Sequence, residues 1–316
     1  MKVNLCFKCR EKAVYYRKYS GENLCSNCFN HSLIEKTRKT ISKYKMINYG
    51  DKVAIGVSGG KDSLALLDIL LKIKEYKDFE LIAITIDEGI ANYREEAIEI
   101  ALNAASKAGV KQEVLSFKEL FNFGLDEALI NRKEEKITSC AICGPLRRRA
   151  IEIGAKNVGA NIIATGHNLD DILQSFMINL FSGDVHRIKA ADPRKGTKKG
   201  FMIRRIKPFM EIYETEIAYY SFLNELRFQT LECPHMNEGI RTEIRNSLDS
   251  FENKHPGIKL SLMKSMFEIS ENIKVKPKQL QNCNICGYNS SSNPCSTCKT
   301  INYINELSNT SDLKNK

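Results

Sequence analysis

The chain has 316 residues, of which 42% are hydrophobic and 27% are charged, and its formal net charge is +10. This length and apolar content suit one medium-sized α/β domain with small appendages. No segment approaches the roughly 18 apolar residues of a membrane span, and residues 1–10 lack a signal-peptide core, so we expect a soluble cytoplasmic protein without membrane contacts. The basic excess favours a polyanionic partner such as nucleic acid, because neutralising phosphates drives that binding.

Cysteine spacing predicts a metal site in residues 1–31. The chain has 11 cysteines, and ten of them form five C-x-x-C pairs. Without an export signal, thiols stay reduced, which favours metal binding over disulfides. The first two pairs lie in a segment too short to build a core, so we expect a zinc finger. Its ligands would be Cys6, Cys9, Cys25 and Cys28, with His31 as a bystander. A helix capped by Ser32 and running to Asn48 is expected to form a linker over residues 32–50.

Residues 51–180 alternate between strand and helix patterns, which predicts a doubly wound α/β fold with a parallel sheet and helices on both faces. Later stretches are less regular: residues 184–230 are basic and irregular, although a helical period resumes over 207–226 and over 241–270. We expect one catalytic domain over residues 51–270. The predicted strands are 52–57, 81–87, 112–117 and 161–168, and the predicted helices are 63–76, 95–109, 143–159 and 170–183.

The stretch SGGKDS, residues 58–63, connects the first strand of this domain to its first helix. Gly59 and Gly60 let backbone N–H groups approach an anion, and the helix N-terminus adds a partial positive charge. A Walker A loop is excluded, because Gly56 to Gly60 is one residue short and Asp62 replaces its hydroxyl residue. The loop resembles the pyrophosphate loop of the ATP-pyrophosphatase (PP-loop) superfamily. Those enzymes split ATP between its α- and β-phosphates and adenylate an oxygen atom.

A second motif, ATGHNLDD at residues 164–171, follows a predicted strand. Ligands of such sheets bind beyond the carboxyl ends of the strands. The motif resembles the G-H-N-x-D-D signature of the tRNA thiolation branch of the superfamily. Asp170 and Asp171 are candidates to hold Mg²⁺ or to position ATP. Aspartate is also favoured at helix N-termini, and both roles stay open.

Three cysteines outside the terminal segments, Cys140, Cys143 and Cys233, recur in this arrangement in the related thiolation enzymes. The favoured interpretation is a [4Fe–4S] cluster held by three thiolates, whose open iron can bind hydrosulfide. The alternatives are a redox pair that carries persulfide and a third zinc with His235 as its fourth ligand. Arg147 lies one helical turn after Cys143, where relatives place a basic residue at the ATP phosphates; a surface charge is the alternative.

The last segment, residues 271–316, repeats the C-x-x-C pattern across a short Gly-, Asn-, Ser- and Pro-rich stretch. It predicts a zinc ribbon with ligands Cys283, Cys286, Cys295 and Cys298, followed by a frayed tail after Asn309. With the other motifs, this module makes the whole chain resemble the tRNA 2-thiouridine synthetases of archaea, eukaryotes and thermophilic bacteria.

This resemblance implies an ATP-dependent tRNA uridine 2-sulfurtransferase. The uridine O2 would be adenylated with release of pyrophosphate, and sulfur from the cluster would then displace AMP. The adenine would lie near the strand Leu81–Asp87, and Lys61, Asp62 and the three cysteines would be catalytic. The implied ATP-binding residues are Val57, Ser58, Gly59, Gly60, Lys61, Asp62, Ser63, Ile84, Arg147, Gly166, Asp170 and Asp171.

The implied cofactors are the cluster, two Zn²⁺ and Mg²⁺, and the partners are tRNA, a second copy of the chain and a sulfur donor. The donor would be a thiocarboxylated ubiquitin-like protein, a persulfide carrier or sulfide. A basic run from Arg187 to Lys207 is expected to follow the tRNA backbone. The many Asn residues tilt the target towards uridine 34 rather than 54, because hyperthermophile proteins avoid thermolabile Asn. A lysidine-forming or amidating PP-loop enzyme and a non-enzymatic zinc or RNA-binding protein are the rival functions.

Overall fold

The computed structural model describes residues 4–130, 132, 137–194, 203–235, 239–276 and 279–312, with the backbone alone described from residue 307. Its elements, in chain order, are β1 (Tyr15–Arg17), β2 (Glu22–Leu24), α1 (Ser26–Lys43), β3 (Lys52–Gly56), α2 (Lys61–Lys74), β4 (Glu80–Asp87), α3 (Arg94–Lys107), β5 (Lys111–Ser116), α4 (Phe117–Phe121), α5 (Leu125–Ile130), α6 (Ser139–Asn157), β6 (Ile162–Ala164), α7 (Leu169–Phe181), α8 (Val185–Ala190), β7 (Arg204–Ile206), α9 (Glu214–Leu223), α10 (Arg241–Lys254), α11 (Ile258–Asn272), β8 (Gln281–Asn282), β9 (Asn289–Ser290) and α12 (Ser296–Asp312).

A five-stranded sheet with the order β5-β4-β3-β6-β7 forms the centre of the described part, and all its strands are parallel. Alternate side chains of β3 point to opposite faces: Val53 and Ile55 enter one apolar core, and Ala54 enters the other. Residues of α2, α3 and α7 build the first core, and residues of α4, α5 and α6 build the second. The predicted doubly wound α/β architecture is confirmed.

Several predicted boundaries need correction. The irregular stretch 184–230 contains the edge strand β7, which is too short to show an alternating pattern in the sequence. The expected helix over 207–226 forms only as α9. The expected helix over 241–270 is two helices, separated at Gly257, whose φ of +95° ends helical geometry.

The N-terminal module continues directly into the helix that follows it. Helix α1 begins at Ser26, six residues before the predicted cap Ser32, because Cys25 caps it by accepting a hydrogen bond from the Cys28 N–H at 3.5 Å. The expected boundary between residues 31 and 32 therefore falls inside α1.

Both terminal modules pack on the central domain. At the N-terminal module, Arg17 Nε donates to Glu216 Oε1 on α9 at 2.8 Å, and the Tyr15 ring stacks on Tyr219 with centroids 4.8 Å apart. At the other end, the buried Ile304 of α12 joins the second core beside α6. Within the described residues, no helix combines the length and apolarity needed to cross a membrane.

Candidate nucleotide and metal sites

The SGGKDS loop turns from β3 into α2 with a geometry that only glycine permits at one position. Gly59 has a φ of +85°, and a Cβ atom there would lie 2.3 Å from the Ala97 carbonyl oxygen. Two serines hold the loop from inside: Ser63 Oγ donates to the Gly60 carbonyl at 2.9 Å and accepts from the Ser58 N–H at 3.1 Å. The loop is therefore fixed, and the N-terminus of α2 lies at its end.

The GHNLDD motif packs directly against this loop. A Cβ atom on Gly166 would lie 2.9 Å from the Asp62 carbonyl group, so the close approach requires glycine. Asn168 caps α7 by accepting from the Asp171 N–H at 3.1 Å, and its side-chain amide donates to Asp62 Oδ1 at 3.1 Å. The two motifs that were found separately in the sequence thus form one structure.

A cleft opens between these two loops at the carboxyl ends of the strands, where the fold places ligands. The aliphatic side chains of Ile84 and Ile86 on β4 line it, as expected for an adenine site. Of the twelve implied ATP-binding residues, those that line the cleft are Val57, Ser58, Asp62, Ser63, Ile84, Arg147, Gly166 and Asp171. Gly59 and Gly60 belong to the same loop, whereas Lys61 and Asp170 line a neighbouring pocket.

Lys61 and Asp170 are held by partners on that side. Lys61 Nζ lies 3.0 Å from Asp62 Oδ2 and 2.7 Å from Glu214 Oε1. Asp170 is buried, pairs with Lys259 and accepts the Glu214 N–H at 2.8 Å. Both carboxylate oxygens of Asp170 thus have a partner within the protein, and its expected role towards Mg²⁺ or ATP stays a prediction.

Two carboxyl groups of the cleft carry raised pKa values. Burial raises the pKa of Asp62 in spite of the Lys61 ammonium beside it. Burial also raises the pKa of Asp171 to about 6, and the negative charges of Asp62 and Glu214 add to the effect. Neighbouring carboxylates with this behaviour suit a bound cation, which would relieve both their burial and their repulsion.

The three central cysteines come from two segments. Cys140 and Cys143 lie in the first turns of α6, which begins four residues before the predicted helix start. Cys233 lies in the coil after α9. Burial raises the pKa of Cys143 to about 11. Burial also raises the pKa of Cys233, and the negative charge of Cys140 raises that pKa further. Arg147 opposes the shift at Cys143, since its Nη2 lies 3.2 Å from the sulfur. The thiols are therefore close enough to affect one another.

The spacing of these thiols differs from that of the terminal sets. Cys6, Cys9, Cys25 and Cys28 hold their sulfurs within 4.8 Å of one another, as do Cys283, Cys286, Cys295 and Cys298. A tetrahedral zinc with Zn–S bonds of about 2.3 Å needs sulfurs about 3.8 Å apart. Among the described residues, only these two terminal groups bring all their sulfurs within 4.8 Å of one another, and the central set does not. His235 Nε2 lies instead 3.2 Å from Asp126 Oδ1, so a third zinc finds no support.

A buried glutamate that sequence reasoning missed joins the cysteine segment to the loop. Glu88 Oε1 lies 2.7 Å from Arg147 Nε, and its Oε2 lies 2.7 Å from Arg94 Nε. Arg94 Nη1 in turn donates to the Ser58 carbonyl at 3.1 Å. The available signal was position, because Glu88 directly follows β4 at the carboxyl edge of the sheet.

The expected RNA-contacting run from Arg187 to Lys207 is described only in part, since residues 195–202 lie outside the described residues. Within the described part, Arg194 pairs with Asp192 at 2.7 Å and with Glu271 at 2.9 Å. Lys207, by contrast, has no hydrogen bond or ion pair from its ammonium group to any described residue. Among the described residues of this run, the charge of Arg194 is therefore compensated by carboxylates, whereas that of Lys207 has no ion-pair partner.

Comparison with known proteins gives two family matches. The PP-loop domain family matches residues 30–250, and the N-terminal LIM domain of the 2-thiouridine synthetase TtuA matches residues 5–30.

Curated relatives match over most of their length. The tRNA 2-thiolation protein NcsA of Haloferax volcanii is 32% identical over 95% of this chain and 98% of its own. The cytoplasmic tRNA 2-thiolation protein 1 of Aspergillus niger is 31% identical over 95% and 89%. Among solved structures, the U34-tRNA thiolase NcsA of Methanococcus maripaludis with its [4Fe–4S] cluster is similar, with a TM-score of 0.84, 31% identity, and coverage of 96% of this chain and 97% of that one.

Proposed function

Because the chain belongs to the PP-loop family of tRNA 2-thiolation enzymes, we propose that it replaces O2 of a tRNA uridine with sulfur at the expense of ATP. The observation that carries this proposal is the position of Arg147. Its guanidinium contacts the Cys143 sulfur and, through Glu88 and Arg94, is connected to the SGGKDS loop. A residue that lines the proposed ATP cleft thus also contacts the proposed cysteine site, which supports a two-step thiolation.

In the first step, the loop binds the phosphates of ATP through its backbone N–H groups and the N-terminus of α2. The uridine O2 attacks the α-phosphorus, the bond to the bridging oxygen breaks, and pyrophosphate leaves. Arg147, which lines the cleft, stabilises the charge that develops on the phosphates, and Lys61 would join it by turning from Glu214 towards them. Ile84 and Ile86 offer an apolar surface to the adenine.

The Mg²⁺ that accompanies ATP would be held by Asp62 and Asp171, whose raised pKa values reflect two neighbouring, partly buried carboxyl groups. When bound, the ion neutralises charge on the phosphate oxygens. Asp170 fixes Lys259 and the start of α9. Asn168 keeps Asp62 oriented in the cleft.

For the second step, Cys140, Cys143 and Cys233 fit a [4Fe–4S] cluster better than zinc. Each thiolate binds a different iron of such a cluster, so the sulfurs need not approach as closely as around one zinc ion. When bound, the cluster supplies an iron without a protein ligand that can accept sulfide sulfur. Arg147 favours the thiolate form of Cys143 and lies between that thiolate and the cleft.

The remaining assignments rest on the terminal cysteine sets and on the relatives. Each terminal set offers four thiolates, which suits a structural Zn²⁺. The similarity to a protein named as a U34-tRNA thiolase supports uridine 34 as the target, and the relatives named cytoplasmic support that location. The sulfur donor and the homodimer remain predictions from sequence. A persulfide mechanism without a cluster is the alternative, whereas a lysidine-forming or amidating enzyme would leave the three central cysteines without a task.

Two experiments test the proposal. Lys61→Ala and Asp62→Ala should each reduce tRNA-dependent pyrophosphate release by at least about 100-fold, because both residues serve the phosphates. Glu214→Gln, which removes only a partner of Lys61, should have a much smaller effect. Circular dichroism should show an unchanged fold, and wild-type pyrophosphate release in either alanine variant would contradict the ATP site.

The second experiment separates the cluster from the persulfide alternative. Anaerobic protein should show the visible absorption and Mössbauer spectrum of a [4Fe–4S] cluster, and alanine at any of the three cysteines should remove both the spectrum and single-turnover thiolation with added sulfide. ATP should still bind to these variants. Full-rate thiolation by iron-free protein would contradict the cluster mechanism.

A further inference from the structure

The three consecutive arginines of α6 have three different surroundings. Arg147 contacts Glu88 and Cys143 at the cleft, as described above. Arg149 lies over the Tyr288 ring, 3.2 Å from its centroid, and 3.5 Å from the Cys295 sulfur of the C-terminal set. The Arg148 guanidinium has neither a hydrogen bond nor an ion pair with any part of the chain that the structure describes.

Arg148 lines a small pocket between α6, β7 and the C-terminal module, with a volume of about 190 Å³. Arg149 and Arg205 also line the pocket, and the side chains of Ser290, Ser291 and Thr297 supply hydroxyl groups. No carboxylate is among its described lining residues. Guanidinium and hydroxyl donors without an acid are the groups that bind a phosphate oxygen.

The pocket has more positive than negative charge. Arg205 is compensated by the buried Glu152 at 3.2 Å, which also accepts from the Tyr288 hydroxyl. Arg149 lies against a thiolate ligand of the C-terminal set. Arg148 has no carboxylate partner among the described residues. Partial burial and the charges of Arg205, Arg147 and Arg187 lower its pKa, against the opposing charge of Cys143. An anion in the pocket would relieve this repulsion.

Positive charge continues from this pocket to the mouth of the cleft. Lys207 follows β7 and lies near His167, and Arg241 lies there as well. Desolvation lowers the pKa of the His167 imidazole, and the charges of Lys207, Arg241, Arg147 and Arg205 lower it further, although the residue is exposed at the surface. A single small anion would occupy one point of such a surface, whereas a nucleic-acid backbone would follow it.

We propose that the pocket between α6 and the C-terminal module binds a backbone phosphate of the tRNA, with Arg148 as the residue that contacts it. The module thus forms one wall of the RNA-binding surface, in addition to its role as a metal-stabilised fold. This inference rests on the proposed function, since it assigns a position to the tRNA that the reaction uses.

The test measures tRNA affinity of the anaerobic, metal-loaded protein at several salt concentrations, with an unmodified tRNA transcript. Arg148→Ala should weaken binding several-fold and reduce the magnitude of the slope of log affinity against log salt by about 0.7–0.9, the loss of one phosphate contact. Arg148→Lys should restore most of the slope. Lys111→Ala removes an equal charge on β5, at the opposite edge of the sheet, and should leave the slope unchanged.

Zinc content and circular dichroism verify that the variants are folded, and Arg148→Gln provides a second neutral variant. Equal slopes for the wild type and the Arg148→Ala and Arg148→Gln variants would overturn the inference while the proposed function stands. An increased KM for ATP with an unchanged tRNA slope would also overturn it, because the pocket would then belong to the nucleotide site. Failure of the wild-type protein to bind tRNA at all would overturn the proposed function itself.

Discussion

At the scale of single residues, the two glycines of the SGGKDS loop do different things. Gly59 needs its left-handed backbone and its contact with α3, whereas Gly60 has an ordinary φ of −86° and caps α2. The nearest atom to a Cβ on Gly60 would be Ser58 Oγ at 3.5 Å, an ordinary contact distance. Gly59 is therefore required by the fold, whereas we expect Gly60 to serve the approach of an anion to the backbone.

This difference predicts opposite results for two neighbouring substitutions. Gly59→Ala should lower the free energy of unfolding by at least about 2 kcal/mol, because the new Cβ collides with backbone and the φ is unfavourable. Gly60→Ala should change that free energy little but should weaken ATP binding. Urea unfolding and nucleotide binding, measured side by side, check both effects. Equal stabilities would show that the loop can move away from α3.

At the scale of elements, the N-terminal module is attached to the catalytic domain through a buried carboxylate. Glu216 on α9 is fully buried and accepts from Arg17 and from the Tyr19 hydroxyl at 3.1 Å, with Lys36 Nζ 3.7 Å away. The same helix begins with Glu214, the partner of Lys61 in the loop. A single helix thus contacts both the cysteine module and the ATP site.

Glu216→Ala should therefore destabilise the attachment of the module by about 3–5 kcal/mol, since it removes the buried carboxylate beside Arg17 and leaves that buried charge with only the more exposed Glu22 as an acidic partner among the described residues. The matched control is Glu22→Ala, which removes a more exposed partner 3.4 Å from the same arginine and should cost less than about 1 kcal/mol. Thermal unfolding and protease sensitivity of the N-terminal segment measure the effect. Similar losses in both variants would mean that the module does not depend on Glu216.

The elements also show what sequence reasoning reaches. The apolar runs of β3 and β4 predict those strands to within one residue at each end, because buried parallel strands are almost wholly apolar. The edge strand β5 is predicted equally well, although its sequence KQEVLS is largely polar. The edge strand β7 has three residues, two of them arginines, and no periodicity can reveal it. Its pairing depends on β6, which only the folded chain brings alongside.

The candidate site likewise has features that the sequence predicts and features that it does not. The spacing of SGGKDS, GHNLDD and the C-x-x-C pairs predicts which segments meet, since each motif carries its own backbone geometry. The partners of a side chain are not local: Glu88 reaches Arg147 across 59 positions of the chain, and Lys61 turns towards Glu214 rather than into the cleft. Asp170 and Asp171 are adjacent in one motif but have different surroundings, and the sequence pattern alone does not distinguish them.

At the scale of the whole molecule, the cysteines separate into three sets, two terminal and one central. The two terminal sets lie at opposite ends of the chain, and neither shares a residue with the central set. Alanine at Cys140, Cys143 and Cys233 together should therefore leave two tightly bound zinc ions per chain while all iron is lost. Elemental analysis of the purified triple variant provides the count. One zinc or none would mean that the cysteines are grouped differently.

The three arginines of α6 also limit which insertions and deletions this segment of the chain can tolerate. Each successive residue of a helix is rotated by about 100°. The different directions of Arg147, Arg148 and Arg149 therefore depend on how many residues separate them from Cys143. Insertion or deletion of one codon between the cysteine and the arginines would reassign all three directions at once. Evolution can therefore exchange these residues individually, but the length of the segment that joins them to the cysteine should stay constant, and gaps should be absent there when orthologous genes are aligned.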